Sequence, residues 1–182
     1  MIKGARRSIA AIAAALSVGI GAAVWATSAA SAAPAKPAAA VPECTSGQLA
    51  VWVSPDRGNG AAGSIYYPLD FTNVSGRTCF LVAYPGVSAT TAGGAQLGSP
   101  AQRDSRYARQ VVTIGPGATA HAVLRYIDVQ VDPTAGCREK TAAFLKVFAP
   151  DQTKANRAFF DLPVCSVKGR IYLTITRIAP HA

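Results

Sequence analysis

The feature that most constrains this chain is an alternating pattern on both sides of a polar turn, within residues 61–87. Leu69 and Phe71 occupy every second position, and the alternation resumes at Cys79. Between the two runs, residues 73–76 read Asn-Val-Ser-Gly, a composition typical of tight turns. Because successive side chains of a strand point to opposite faces of a sheet, this segment predicts a β-hairpin with a cysteine in its second strand.

Similar alternating runs continue through the rest of the chain, separated by Gly- and Pro-containing turns about every ten residues. No run has the length and period of a long helix. The sequence therefore predicts an all-β domain of about eight or nine strands, an antiparallel immunoglobulin-like β-sandwich with two disulfides. Pro68 cannot donate to a neighbouring strand, which predicts an edge strand or a bulge there. The side chains predicted to fill the core are Val51, Leu69, Phe71, Leu81, Leu124, Val147, Leu173 and Ile175.

The N-terminus predicts export. A basic segment (residues 3–7) precedes an uncharged, Ala-rich run, and small residues suited to signal peptidase end at Ala32. We expect residues 1–32 to be a cleaved signal peptide, followed by an Ala/Pro-rich linker at 33–42 and a β-sandwich domain at 43–182. The alternative is a retained membrane anchor, but the apolar run is short for a span of about 20 residues. No stable membrane span is expected after cleavage.

The charge balance indicates the kind of partner. The chain has 18 Lys and Arg against 9 Asp and Glu, and its formal net charge falls from +9 to +6 when the three basic residues of the predicted signal peptide are removed. A positive surface favours anionic neighbours. For a secreted or extracytoplasmic protein, possible partners are an anionic cell-wall polymer or another secreted protein, with no nucleic acid expected.

All four cysteines lie in the predicted mature domain. An even number in an exported chain predicts two disulfides. The spacing leaves three pairings open, and we prefer to pair sequence neighbours, Cys44 with Cys79 and Cys137 with Cys165. Zinc is the competing use, but these cysteines are far apart and the chain has only 2 histidines. No metal and no cofactor is expected.

A candidate ligand-binding patch surrounds Tyr107. Arg103, Arg106 and Arg109 recur at every third position beside this aromatic residue. Guanidinium groups bind phosphate or carboxylate groups bidentately, so the patch could hold an anion. The alternative is a solvated connector whose charge Asp104 partly neutralises.

Motifs for catalysis are missing from the sequence: neither GxSxG nor HExxH occurs. We therefore expect a non-enzymatic cell-envelope or extracellular binding module, with no catalytic residue. One alternative is a secreted hydrolase with His121 as its base, which requires a nucleophile that the sequence does not place. Another is a protease inhibitor that presents residues 98–109 as a rigid loop.

With these residues in view, the chain resembles the domain-of-unknown-function family 4232 of secreted actinobacterial proteins. The matching blocks run in order over residues 44–179, and the most specific is FTNVSGRTC followed by YPGV. The others include the LAVWV strand, IGPGATAHAVLR and the final LTITRI strand. The resemblance implies a disulfide-bearing β-sandwich outside the membrane and no particular reaction or substrate. The chain differs from the lipoprotein members because it lacks a lipobox.

Overall fold

The structure is a computed structural model that describes residues 40–54, 60, 62–130 and 136–181. The predicted signal peptide and most of the predicted linker lie outside the described residues. Within them, the only helical element is a single 3-10 turn at Ser46–Gln48, so the prediction of an all-β domain is confirmed for the described residues. The strands are β1 Leu49–Val53, β2 Ser64–Asn73, β3 Cys79–Val82, β4 Gly86–Thr90, β5 Gln102–Arg103, β6 Val111–Ile114, β7 Thr119–Ile127, β8 Glu139–Thr141, β9 Phe144–Phe148, β10 Ala155–Phe159, β11 Pro163–Cys165, β12 Leu173–Ile175 and β13 Ala179–Pro180.

These strands pair into four sheets. The largest has the order β1-β2-β7-β12-β5, with β13 also pairing with β7. A second sheet has the order β10-β9-β4, and two smaller sheets pair β11 with β8 and β3 with β6. Every strand pair is antiparallel except β12 with β5, an exception to the antiparallel prediction. The described residues contain more strands than expected because strands of two or three residues are too short to show a period.

One hydrophobic core joins the inner faces of the sheets. Inward residues of β2 and β7 are buried and their neighbours face outward, as alternation requires. The β9 strand of the three-stranded sheet contributes Leu145 and Val147, both fully buried. The predicted core is confirmed, since all its members are buried: Val51, Leu69, Phe71, Leu81, Leu124, Val147, Leu173 and Ile175.

The predicted hairpin within residues 61–87 is wrong in its pairing. β2 pairs with β1 and β7, whereas β3 pairs with β6. The polar turn between β2 and β3 therefore carries the chain from one sheet to another.

Asn73 provides the physical reason for this crossover. Its buried side-chain amide donates to the carbonyl oxygens of Arg77, at 2.7 Å, and Ile114, at 3.1 Å. Its Oδ1 accepts from the backbone N–H of Ser75 at 3.0 Å and from the Ser75 hydroxyl at 2.7 Å. One side chain thus holds the turn and ties it to the last residue of β6, beside which β3 then runs.

Pro68 also lies in an unexpected place, in β2, which has a paired strand on each side, rather than in an edge strand or at a bulge. The Pro68 carbonyl accepts from the Ser54 N–H at 2.8 Å, one residue beyond the end of β1. In an antiparallel pair the N–H and C=O of one residue face the same neighbour. The missing N–H of Pro68 therefore faces the end of β1, where the ladder stops in any case.

We expect Asn73→Ala to lower the free energy of unfolding by about 2–3 kcal/mol, because two carbonyl groups lose their donor at a buried position. Equilibrium unfolding in urea measures this change. Ser75→Ala is the matched control, because it leaves the Asn73 amide bonded to both carbonyl groups. Its half-buried hydroxyl donates to Asn73 Oδ1 at 2.7 Å and makes longer bonds to the Arg77 backbone, at 3.1 and 3.4 Å, and we expect a loss below about 1 kcal/mol. Equal stability of Asn73→Ala and the unmodified chain would contradict the role given to Asn73.

The predicted bond between Cys44 and Cys79 is present, with a sequence separation of 35. It joins the segment before β1 to the first residue of β3. The structure differs from the two-disulfide prediction at the other pair. Cys137 and Cys165 are thiols whose side chains share a hydrogen bond, and the covalent bond between them stays a prediction.

Candidate functional site

A pocket of about 160 Å³ opens on the outer face of the largest sheet. Its floor is one row across three strands, in which Tyr66 of β2 pairs with Arg125 of β7 and Arg125 pairs with Thr174 of β12. Val123 and Thr176 form the next row. All five positions face outward because the inward positions of these strands fill the core.

Arg125 is held in place by Ser64 of the adjacent strand β2. Its Nε and Nη2 atoms donate to the Ser64 hydroxyl at 3.1 and 2.8 Å, and Ser64 is buried. A guanidinium group has five N–H donors in a fixed plane. Two of its nitrogens are fixed by Ser64, so the group is oriented while other donors stay available to a ligand.

The rim of the pocket is the segment between β5 and β6. The Asp104 N–H donates to the Ile175 carbonyl at 2.9 Å, which ties the start of this segment to β12. The Tyr84 hydroxyl donates to the Tyr107 carbonyl and ties down its middle. Tyr107 remains 46% exposed and Tyr66 36% exposed, so two aromatic side chains stand at the pocket.

The electrostatics of the rim are set by one ion pair. Arg106 binds Asp104 bidentately, with Nε and Nη2 at 2.9 and 2.7 Å from the two carboxylate oxygens. The hydrogen bond from Arg106 holds the pKa of Asp104 below its usual range, and the charge of Arg125 acts in the same direction. Asp104 therefore neutralises one arginine, and Arg125 leaves the pocket with a net positive charge.

The structure divides the predicted arginine patch. Arg106 and Tyr107 line the pocket, whereas Arg103 and Arg109 are exposed outside it. Arg103 pairs with the inward-facing Ile175, so it belongs to the opposite face of the sheet from its neighbour Asp104.

Sequence reasoning missed Tyr66 and Arg125. Both lie on the outward, polar face of a predicted strand. An aromatic residue such as Tyr66 cannot be part of the core from that face. That position was the available signal, but the register that brings the two residues together follows from long-range pairing.

Residues 44–173 match the sequence pattern of the family described as Domain of unknown function (DUF4232). The chain belongs to the DUF4232 family. The pattern covers both strands of the pocket floor that carry Tyr66 and Arg125, and it includes the rim. Searches of curated proteins and of solved structures found no match.

A second polar cluster of the DUF4232 domain surrounds His121. Asp70 of β2 pairs directly with His121 of β7, and the ring of His181 lies edge-on at a centroid distance of 5.7 Å from that of His121. Burial lowers the pKa of His121 and raises the pKa of Asp70. Asp70 Oδ1 and His121 Nδ1 are buried and make no hydrogen bond within the described residues.

The hydrolase alternative would need a nucleophile beside His121. The nearest outward hydroxyls along these two strands are Thr72 and Thr119, one position further along the same face, and they bond to each other at 2.5 Å. For this alternative, the DUF4232 domain thus supplies Asp70 as an acid and His121 as a base. The two threonine hydroxyls are already hydrogen-bonded to each other.

Two further findings concern the described part of the DUF4232 domain. In the residues that the structure covers, no three or more His, Cys, Asp or Glu side chains are grouped so that they could hold a metal ion. The same residues include no helix with the length and hydropathy needed to cross a membrane.

Proposed function

We propose that this protein is a non-enzymatic, extracytoplasmic binding module that holds one acidic sugar unit of an anionic cell-envelope polymer in the Tyr66–Arg125 pocket. The observation that carries the proposal is the oriented Arg125 guanidinium in a pocket that two exposed tyrosines also line. A guanidinium group binds a carboxylate bidentately. Tyrosine combines an apolar ring face with a polar hydroxyl, which suits a ligand that has both apolar and hydroxylated surfaces.

The size of the pocket favours one unit of a longer chain. About 160 Å³ is below the roughly 300 Å³ at which ordinary small-molecule sites begin. Each unit of a polymer makes only a small contact and binds weakly. The overall affinity is higher because several units, or several modules, bind at the same time. Another secreted protein is the competing partner, and the experiment below distinguishes the two.

We propose, as part of the same function, that the sheets stack as the two layers of an immunoglobulin-like sandwich. The support is the single core to which β2, β7 and β9 all contribute buried side chains. In such a fold the scaffold is rigid and recognition residues stand on its faces or loops. An extracytoplasmic location is supported by the disulfide between Cys44 and Cys79, since such bonds persist in oxidising compartments.

The test is sedimentation of the purified domain with isolated cell-wall material. We expect the unmodified domain to bind and Arg125→Ala to bind about 10- to 100-fold more weakly, because a charge-assisted hydrogen-bonded pair contributes about 1.5–3 kcal/mol. Tyr107→Ala should also weaken binding. High salt should reduce recovery only in part, because contacts with the tyrosine rings are not screened.

The matched control is the double variant Arg103→Ala/Arg109→Ala, which removes two positive charges outside the pocket. We expect it to sediment like the unmodified domain. If it loses binding as strongly as Arg125→Ala, diffuse charge rather than the pocket is responsible. Failure of the unmodified domain to bind wall material, together with binding to a secreted protein, would replace the polymer by the protein partner.

A further inference from the structure

A second basic cavity lies on the other large sheet, away from the pocket just described. It has a volume of about 330 Å³ and is lined by Lys146 of β9, Arg157 of β10 and the turn after β4, including Gly93 and Gly94. None of its lining residues belongs to the Tyr66–Arg125 pocket.

The two cations of this cavity stand directly opposite each other. Arg157 pairs with Lys146 in the antiparallel register of β10 and β9. Like charges at such positions repel each other and destabilise a sheet. The side chains turn to opposite sides: the Lys146 ammonium lies 5.1 Å from the ring centre of Phe148, and the Arg157 guanidinium carbon lies 3.9 Å from that of Phe144.

Neither cation is neutralised by an acid. The one ion pair among the described residues joins Arg106 and Asp104, so Lys146 and Arg157 have no carboxylate of that part of the chain within 4.0 Å. Arg157 is fixed by the Phe144 ring and by donating from Nη2 to the Ala92 carbonyl at 3.2 Å. Both cations line the same cavity, so an anion with two negative charges bound there would offset both positive charges.

The turn leaves room for such an anion. Gly94 has a φ of +86°, which favours glycine, and a side chain built there would meet no atom within 4 Å. Arg157, already held in place, needs little ordering to bind a ligand, which favours affinity.

An exposed aromatic side chain lies near Arg157, outside the cavity lining. Phe159 is 70% exposed, and its ring packs edge-on against that of Phe144, with the centroids 6.3 Å apart. Phe144 in turn carries the Arg157 guanidinium on its face. A ligand anchored at Arg157 therefore has an exposed aromatic ring beside it.

We propose that this cavity binds a phosphate monoester with an apolar ester group. The phosphate, which carries close to two charges at neutral pH, lies between Lys146 and Arg157, and the ester group contacts Phe159. A carboxylate carries one charge and leaves one cation unsatisfied. The site is separate from the proposed polymer pocket and does not depend on it.

Titration calorimetry with phenyl phosphate, benzoate and inorganic phosphate tests the proposal. We expect phenyl phosphate to bind at least about tenfold more tightly than benzoate, since a charge-assisted hydrogen bond is worth more than a factor of ten. Lys146→Ala and Arg157→Ala should each weaken phenyl phosphate at least about tenfold. Phe159→Ala should weaken phenyl phosphate and leave inorganic phosphate unchanged.

Two control variants separate this site from general charge and from the polymer pocket. Lys140→Ala removes an exposed positive charge of β8, and Arg125→Ala alters the other pocket; both should bind phenyl phosphate like the unmodified domain. The proposal is overturned by equal affinity for benzoate and phenyl phosphate, by unchanged binding in Arg157→Ala, or by no saturable binding at millimolar phenyl phosphate. Loss of binding in Arg125→Ala alone would assign the phosphate to the other pocket.

Discussion

The double variant Cys44→Ala/Cys79→Ala should be less stable than the unmodified domain by about 4 kcal/mol. The bond closes a loop with a sequence separation of 35, and loop closure of this length removes about that much free energy from the unfolded chain at 25 °C. Both cysteines are fully buried. Alanine is therefore chosen instead of serine, whose hydroxyl group would be buried in the core. Equilibrium unfolding in urea, at constant pH and without reductant, gives the free energy directly.

This loss has a specific structural origin. The disulfide ties the segment before β1 to β3, next to the hydrogen bond from the Cys44 N–H to the Phe80 carbonyl at 2.9 Å. Glu43 also forms an isolated parallel bridge with Phe80, so the bond fixes the segment that leads into β1 against β3. Reduction of the unmodified domain should lower the stability by a similar amount. A change below about 1 kcal/mol in both experiments would show that the bond is dispensable.

Oxidation should join Cys137 and Cys165 and raise the free energy of unfolding by about 3.5 kcal/mol, through closure of a second loop. The two thiols share a hydrogen bond, and Cys137 lies two residues before Glu139, whose register partner is Cys165. In the reaction with oxidised glutathione, both protein S–H bonds and the glutathione S–S bond break, and one protein S–S bond forms. The two protons and two electrons leave in two molecules of reduced glutathione. Burial, with the hydrogen bond that the Cys137 thiol donates to Cys165, raises the pKa of Cys137 to about 11, so spontaneous exchange should be slow at neutral pH.

Peptide mass spectrometry of protein purified from an oxidising compartment measures this directly. We expect a linked peptide that contains Cys137 and Cys165, and no thiol that reacts with iodoacetamide after unfolding. Cys137→Ala/Cys165→Ala is the control, and oxidation should leave its stability unchanged. Two free thiols in secreted, folded protein would contradict the second disulfide.

Sequence reasoning predicted the strands well because alternation is a local property. The core residues on β2, β7 and β12 were predicted from alternation alone. The first disulfide was predicted by pairing cysteines that are neighbours in the sequence. The pairing of β2 with β3 was wrong because Asn-Val-Ser-Gly has the composition of a hairpin turn, while the side chain of Asn73 bonds to Ile114, 41 residues away. The composition of the turn alone does not predict a partner so far away in the sequence.

The candidate site was predicted in part for the same reason. Arg106 and Tyr107 lie close together in the sequence, and their juxtaposition was visible. Tyr66 and Arg125 are far apart in the chain and meet only through the register of β2 with β7. The exposed cations Lys146 and Arg157 depend on register as well, so the sequence pattern of β9 and β10 could not pair them.

The most direct test of the central claim is a nuclear magnetic resonance titration of the isotope-labelled domain with a soluble, carboxylate-bearing fragment of the cell-wall polymer. We expect saturable shifts of the backbone amides concentrated at Tyr66, Tyr107, Arg125 and Thr174, and their loss in Arg125→Ala. Saturable shifts centred on Asp70 and His121 instead, or no shifts with any wall fragment, would contradict the claim.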